Sequence, residues 1–319
     1  MINMKTLSTN ILRLFNKLSG MLIVIAAITV TPDSFAHSRW IISSHTILSG
    51  DDAPFISLDF SISNDIFHAD VSYGGKPLIE QTHDTAESVG TKDPKQAVRQ
   101  KLMQRMFSST RLRATFPDGS TDDSLPIVNL GRKSASAIQL QRPGTYRFNV
   151  IQNPVDITLY QHADGTPGRE FGLLKDTKSL LPEGAGNIKT LRIHNRVETY
   201  VTRNDLTAKS LEATGDGLEL IMLTHPNELF AGETASFKLS LNGKPPGETV
   251  TIKLTRNDTR YRNERNTLEI TTKKTGEFEI PWQQAGLYLL EAEVEVKAKN
   301  KVFDSEVFSL YATLEVNPE

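Results

Sequence analysis

The residues best placed to do chemistry in this chain are its seven histidines, all of them at or before His225. His37 stands out by position. Lys5, Arg13 and Lys17 form a basic opening, residues 18–30 are apolar, and Ser34-Phe35-Ala36 supplies small residues ahead of a cleavage point. Residues 1–36 therefore read as a secretory signal peptide. The apolar run is shorter than the ~20 residues a bilayer-spanning helix needs. Cleavage after Ala36 would leave a chain starting at His37, whose α-amino nitrogen and imidazole can together chelate one metal ion. Further imidazoles would complete the site: His225 and His194 first, with His45 and His68 behind them. Imidazole suits nickel, cobalt, copper, zinc and iron. No His-x-x-x-His or His-Glu-x-x-His spacing is present, so such a site has to be assembled from distant segments. His83 and His162 lie in polar loops and read as solvated surface.

Other chemistries find less support. With no cysteine, the chain has no thiol nucleophile, no thiolate metal site and no disulfide. It has no Gly-x-Ser-x-Gly elbow and no phosphate-cradling glycine loop. Asp51-Asp52 and Asp122-Asp123 sit among turn residues and read as turn chemistry. A non-enzyme is expected. Without the signal peptide, 33 basic residues face 37 acidic ones, both signs spread along the chain, which gives nucleic acid no basic surface to bind.

The elements that must position these groups are strands. Residues 55–62 alternate with period two, and residues 191–202 do so more cleanly. In the latter, Leu191, Ile193, Val197 and Val201 take one face, and His194, Arg196, Glu198 and Tyr200 the other. His194 and Glu198, four residues apart, stand ~13 Å from each other, too far to share a metal; with Arg196 between them the face reads as an ion-paired surface. Asp93 and Pro94 open one helix running to Phe107, an N-cap followed by proline in the first turn; its Met103 and Met106 read as core filler rather than a soft-metal site. Residues 161–187 are punctuated by Gly and Pro and read as loop. Gly144-Thr145-Tyr146 and Gly286-Leu287-Tyr288 repeat one motif, a glycine entry and a tyrosine whose hydroxyl can bond back to the backbone, as in the tyrosine corner of immunoglobulin-like sandwiches. The sequence thus predicts an all-β chain of two tandem immunoglobulin-like or transthyretin-like β-sandwiches with one short helix and a long connecting loop. The expected boundaries are 1–36 for the signal peptide, 37–160 for the first sandwich, 161–216 for the linker loop and long strand, and 217–319 for the second sandwich. Residues 215–233 form the joint.

Several segments carry a resemblance. They are Ala36-His37-Ser38-Arg39-Trp40, Leu48-Ser49-Gly50-Asp51-Asp52, Ser63-Asn64-Asp65, Asn195-Arg196-Val197-Glu198-Thr199, Leu223-Thr224-His225-Pro226-Asn227-Glu228-Leu229 and Thr259-Arg260-Tyr261-Arg262. In this order they resemble a family of exported bacterial proteins of unknown function, often labelled the periplasmic component of a cobalt/nickel uptake system. The second half is similar to transthyretin-like or carboxypeptidase-regulatory sandwiches, through Gly243-Lys244-Pro245 and Thr275-Gly276-Glu277-Phe278. The resemblance implies a periplasmic protein that captures a divalent transition metal, nickel or cobalt favoured, and passes it to a membrane transporter or outer-membrane receptor. At Phe67-His68-Ala69-Asp70 the chain departs from that family's pattern. The alternative is a non-catalytic envelope binding or scaffold module that recognises a glycan or protein partner, with Tyr200, Trp282 and Tyr261 as a possible aromatic platform.

Overall fold

Alternation of apolar and polar side chains governs almost every element. A computed structural model describes residues 37–78 and 93–319, of which His37–Glu319 form one compact unit. The expected signal peptide and His83 lie outside the described residues. The first half holds strands β1 (Ser38–Ser43), β2 (Ile47–Leu48), β3 (Phe55–Ser63), β4 (Lys76–Pro77), β5 (Arg111–Thr115), β6 (Thr121–Leu125), β7 (Val128–Asn129), β8 (Ser134–Gln139), β9 (Gly144–Ile151), β10 (Val155–Gln161) and β11 (Pro167–Phe171). Helix α1 (Pro94–Phe107) lies between β4 and β5, and the four-residue helix α2 (Leu174–Thr177) follows β11. Then come β12 (Gly186–Arg203), β13 (Leu218–Met222), β14 (Thr234–Leu241), β15 (Thr251–Arg256), β16 (Leu268–Thr271), β17 (Glu277–Pro281), β18 (Gly286–Lys297) and β19 (Ser305–Val316).

The strands make three sheets among the described residues. One is five-stranded (β1-β3-β8-β7-β4) and one three-stranded (β13-β14-β17). The third, large sheet runs β16-β15-β18-β19-β12-β9-β5-β6, with β10, β11 and β2 joined to it. The five-stranded sheet and the large one enclose a first core of Trp40, Phe60, Tyr73, Tyr146, Phe148, Val197 and Val201. The three-stranded sheet and the large one enclose a second, with Leu220, Phe237, Ile252, Trp282, Leu290 and Tyr200. Successive residues on the shared strands serve opposite cores. Val201 enters the first and Tyr200 the second; Leu289 enters the first and Leu290 the second; Tyr311 enters the first, Leu310 and Ala312 the second. Since side chains alternate across a strand, the small sheets cover opposite faces of the large one. The chain is all-β with two β-sandwiches, as its sequence predicts, and the two share a sheet.

Local chemistry explains the ends. Asp93 Oδ1 accepts from the Lys95 N–H at 2.9 Å, capping α1 as expected. Both tyrosine corners form: Tyr146 Oη donates to Arg142 O at 2.8 Å and accepts from the Arg142 N–H at 2.8 Å, while Tyr288 Oη donates to Gln284 O at 2.7 Å. Gly144 enters its strand at φ 121°, and a Cβ there would stand 2.6 Å from Pro117 Cβ, so only glycine fits. The segment expected to be loop, residues 161–187, instead carries β11, α2 and the start of β12. Pro167 is tolerated because it opens an edge strand, where a missing N–H costs little. Gly168 marks a close approach rather than a turn, since a Cβ on it would meet the Tyr160 ring at 2.4 Å.

Candidate functional site

Strand β12 has two different edges. One is paired to β19 from Leu191 to Thr199 and then to β2 at Thr202 and Arg203. The other pairs with β10 up to Ile193 and resumes with β9 at Tyr200. Between those points, residues 194–199 have no strand partner on that side among the described residues. Residues 148–154 swing away there, because β9 leaves β12 to pair with β5. The sheet forks.

A cleft of about 720 Å³ occupies the fork. Its floor is the outer face of the large sheet, where Arg113 and Thr115 of β5, Arg147 and Asn149 of β9, and His194 and Arg196 of β12 line up. The opposite faces of these strands supply Leu112, Ala114, Tyr146, Phe148 and Val197 to the first core. The wall is the segment that leads from Lys209 into the start of the joint, with Lys209, Glu212, Thr214, Asp216 and Leu218 lining the space. Glu219, 2 % exposed, holds that wall by accepting from the N–H groups of Thr214 (2.8 Å) and Gly215 (2.7 Å).

Charge is distributed unevenly around the cleft. Arg113 forks onto Asp123, with Nη2 to Oδ2 at 2.7 Å, and this bond holds the guanidinium's pKa up and the carboxyl's down. Arg196 lies 3.6 Å from Glu198 and 3.4 Å from Glu219, and donates to Asp216 O at 2.8 Å. Lys209 pairs with Glu212 at 2.7 Å. Arg147 has no such partner among the described residues. It is 6 % exposed, its Nη1 makes one long bond to Glu212 O at 3.3 Å, and its Nε is buried with no acceptor. Glu198, on the same face, is already engaged: at 1 % exposure it accepts from Asn149 Nδ2 (2.8 Å) and Tyr200 Oη (2.5 Å). Burial, with the Glu198 charge adding to it, raises the Tyr200 pKa well above the usual tyrosine range, which keeps the phenol a donor. The face expected to be an ion-paired surface is ion-paired but largely buried.

The expected assembly of imidazoles does not form among the described residues, where no group of three or more His, Asp or Glu is placed to hold a metal ion. His194 lines the cleft, stacked on Phe308 with ring centroids 4.5 Å apart, its Nε2 3.2 Å from Glu306 Oε1. His225 closes a hydrogen-bonded ring below the wall. Its Nδ1 accepts from the Asn227 N–H at 3.2 Å, and its Nε2 meets Thr145 Oγ1 at 3.0 Å. His45 is exposed beside Ser44, and His68 sits near Asp65 at 3.8 Å. His37 is half-buried ahead of β1, where burial and then the charges of Arg169 and Arg39 hold its pKa down, against the pull of Asp70. Each imidazole answers to its own neighbours because each belongs to a different segment: His194 lies within β12, and His37, His45, His68 and His225 lie before β1, between β1 and β2, after β3 and after β13. Trp282 is buried in the second core and Tyr200 at the fork, so the two do not form the expected aromatic platform with the exposed Tyr261.

The family model of a domain of unknown function, DUF4198, matches residues 34–296. The chain belongs to the DUF4198 family. No curated protein matches it. Among solved structures, it is similar to a DUF3823 family protein from Bacteroides uniformis, at 10 % identity and a TM-score of 0.21, covering 66 % of this chain and 90 % of that one. It is similar also to the two tandem V-type regions of VCBP3, a v-region-containing chitin-binding protein. That match has 8 % identity and a TM-score of 0.19, and covers 86 % of this chain and 99 % of the other.

Arg147 and Asn149 escaped the histidine-led reading of this DUF4198 chain. Their signal is modest but present: Tyr146-Arg147-Phe148-Asn149-Val150 alternates, and a strand that puts Arg and Asn opposite an aromatic face has a polar face to account for.

Proposed function

We propose that the chain acts outside the cytoplasm as a non-catalytic binding module, and that the fork in the large sheet is where it takes the hydrophilic end of a glycan. The observation that carries this reading is the cleft on the forked edge of β12, about 720 Å³ in volume. That is the size of a pocket for a compact ligand. Its polar lining offers hydroxyls from Thr115 and Thr121, amides from Asn149, Asn195 and Gln152, and ionic groups. A ligand rich in hydroxyls can satisfy such a lining, whereas an apolar one would leave it unpaired. Carriage by an exported protein agrees with a folded unit that begins at His37, where cleavage is expected. The test is calorimetry of residues 37–319 against neutral and acidic envelope saccharides, with Thr121→Trp, an exposed lining position paired with Thr115, to fill the cleft. Binding lost in the filled variant, with its circular dichroism unchanged, supports the reading; binding that the tryptophan leaves intact sinks it.

Metal capture, which the resemblance implies, has one supporting observation. His37 stands at the very start of the folded unit, with the Asp70 charge acting on it. The guanidiniums of Arg169 and Arg39 oppose a cation there. If the terminal amine is a ligand, the cleaved chain binds nickel or cobalt more tightly than one retaining Ala36, whose residue 37 nitrogen is an amide. Equal affinities in calorimetry remove the chelate.

A further inference from the structure

The geometry points to a carboxylate as the group that the cleft recognises, with Arg147 as its anchor; this rests on the cleft being the binding site. Four cationic side chains line the space, and three have a carboxylate within 4 Å among the described residues: Arg113 has Asp123, Arg196 has Glu198 and Glu219, and Lys209 has Glu212. Arg147, at 6 % exposure the least accessible of the three guanidiniums, has none. A buried charge without a counter-ion costs several kcal/mol.

The neighbours cannot easily supply the missing charge. Glu198 is held by Asn149, Tyr200 and Arg196. Glu212 offers Arg147 its backbone carbonyl while its carboxylate turns to Lys209. The register sets Arg147 directly opposite Tyr200, at the point where β9 and β12 part. The guanidinium therefore sits at the head of the fork, with the open cleft before it. A guanidinium offers five N–H donors in a planar array that matches a carboxylate. A bound carboxylate would bring the counter-charge, while Thr115 and Thr121 remain for hydroxyls on the same ligand. An acidic sugar, such as a uronate, combines both requirements.

The experiment uses residues 37–319 with two matched probes, glucuronate and glucose, plus acetate, each at the same ionic strength set with sodium chloride. Thermal midpoints and calorimetry are read for wild type, Arg147→Met, Arg147→Lys and Thr121→Trp. Glucuronate and acetate should raise the wild-type midpoint and glucose should not, with glucuronate binding at least about tenfold tighter than glucose. Arg147→Met should lose the carboxylate response. It should also be as stable as the unliganded wild type or more so, because a lone buried charge has been replaced by an apolar chain of similar length. Arg147→Lys, a point charge without the fork, should bind glucuronate more weakly. A carboxylate response equal to that of chloride, or one that persists in Arg147→Met, overturns the inference. If Arg147→Met fails to fold, the Lys variant decides: undiminished glucuronate binding overturns it. Glucose binding that Thr121→Trp abolishes, without any carboxylate effect, would leave the cleft standing and remove its acidic ligand. A carboxylate effect that depends on Arg147 but ignores Thr121→Trp would instead move the site away from the cleft.

Discussion

Single side chains in this protein differ in value according to how many backbone groups depend on them. Tyr146 and Tyr288 fill equivalent corners, but Tyr146 Oη satisfies both the N–H and the C=O of Arg142, and Tyr288 Oη satisfies one carbonyl. Removing either hydroxyl costs a hydrogen bond of about 1 kcal/mol, plus the penalty of any buried group left without a partner. Tyr146→Phe should therefore destabilise by about 2–3 kcal/mol and Tyr288→Phe by about 1 kcal/mol in urea unfolding; equal losses would mean that the second bond contributes nothing. His225 makes a pH-dependent counterpart. Its Nδ1 accepts the Asn227 N–H, so the folded state needs the neutral ring protonated at Nε2, facing Thr145 Oγ1 and Thr207 O. Burial lowers its pKa, with the Thr207 carbonyl and the Glu228 charge opposing. A histidine depressed in the folded state is protonated first in the unfolded one. Its contribution is complete above the unfolded value of about 6.5 and is lost as pH falls through the lowered folded value. His37 shifts in the same direction. His225→Asn should flatten part of the fall in stability between pH 7.5 and 5, and an unchanged slope would exonerate His225.

Among the elements, β12 organises the molecule, and its alternation is plain in the sequence. The expected strand of residues 191–202 lies inside the observed Gly186–Arg203, and that of residues 55–62 inside Phe55–Ser63, because both alternate. β10 and β11 were harder to read. Pro167-Gly168 looks like a turn in sequence, and only the Tyr160 ring lying against Gly168 explains why a strand needs a residue without a side chain there. The site was legible in part. His194, expected as a metal ligand, lines the cleft; the isolation of Arg147 was not legible, because it depends on a wall contributed by Glu212, sixty-five residues away. The same strand separates structural from surface ion pairs. Glu198 is sealed at the fork with three partners, so Glu198→Gln should cost about 1–3 kcal/mol. Glu306 meets His194 at a part-exposed position, and Glu306→Gln should stay within about 1 kcal/mol of wild type. Chemical denaturation of the two variants side by side tests the contrast, and matching losses would contradict the burial argument.

At the scale of the whole molecule, the shared sheet makes a demand that two independent sandwiches would not. Strands β12, β18 and β19 each send residues into both cores, so neither core can open without exposing part of a strand that the other needs. Loss of one sandwich would leave Leu289 and Tyr311, or else Leu290 and Leu310, facing water on a strand still paired. Exposing each large apolar side chain costs about 1.5–3 kcal/mol. The two should therefore unfold together. The chain carries its own reporters, because its only two tryptophans are divided between the cores, Trp40 in the first and Trp282 in the second. Trp40→Phe leaves fluorescence from the second core, and Trp282→Phe leaves that from the first. Each changes stability somewhat, so each is compared with its own far-ultraviolet circular dichroism curve. Coincident transitions in both variants are expected. Adding Leu289→Ala, whose side chain enters the first core from a strand that also lines the second, should cost about 2–5 kcal/mol. That loss should move the Trp282 signal as far as the Trp40 signal. If the Trp282 midpoint stays in place while the first core melts early, the common sheet is a mechanical joint without thermodynamic coupling, and the cleft at its fork could open and close with the first sandwich alone.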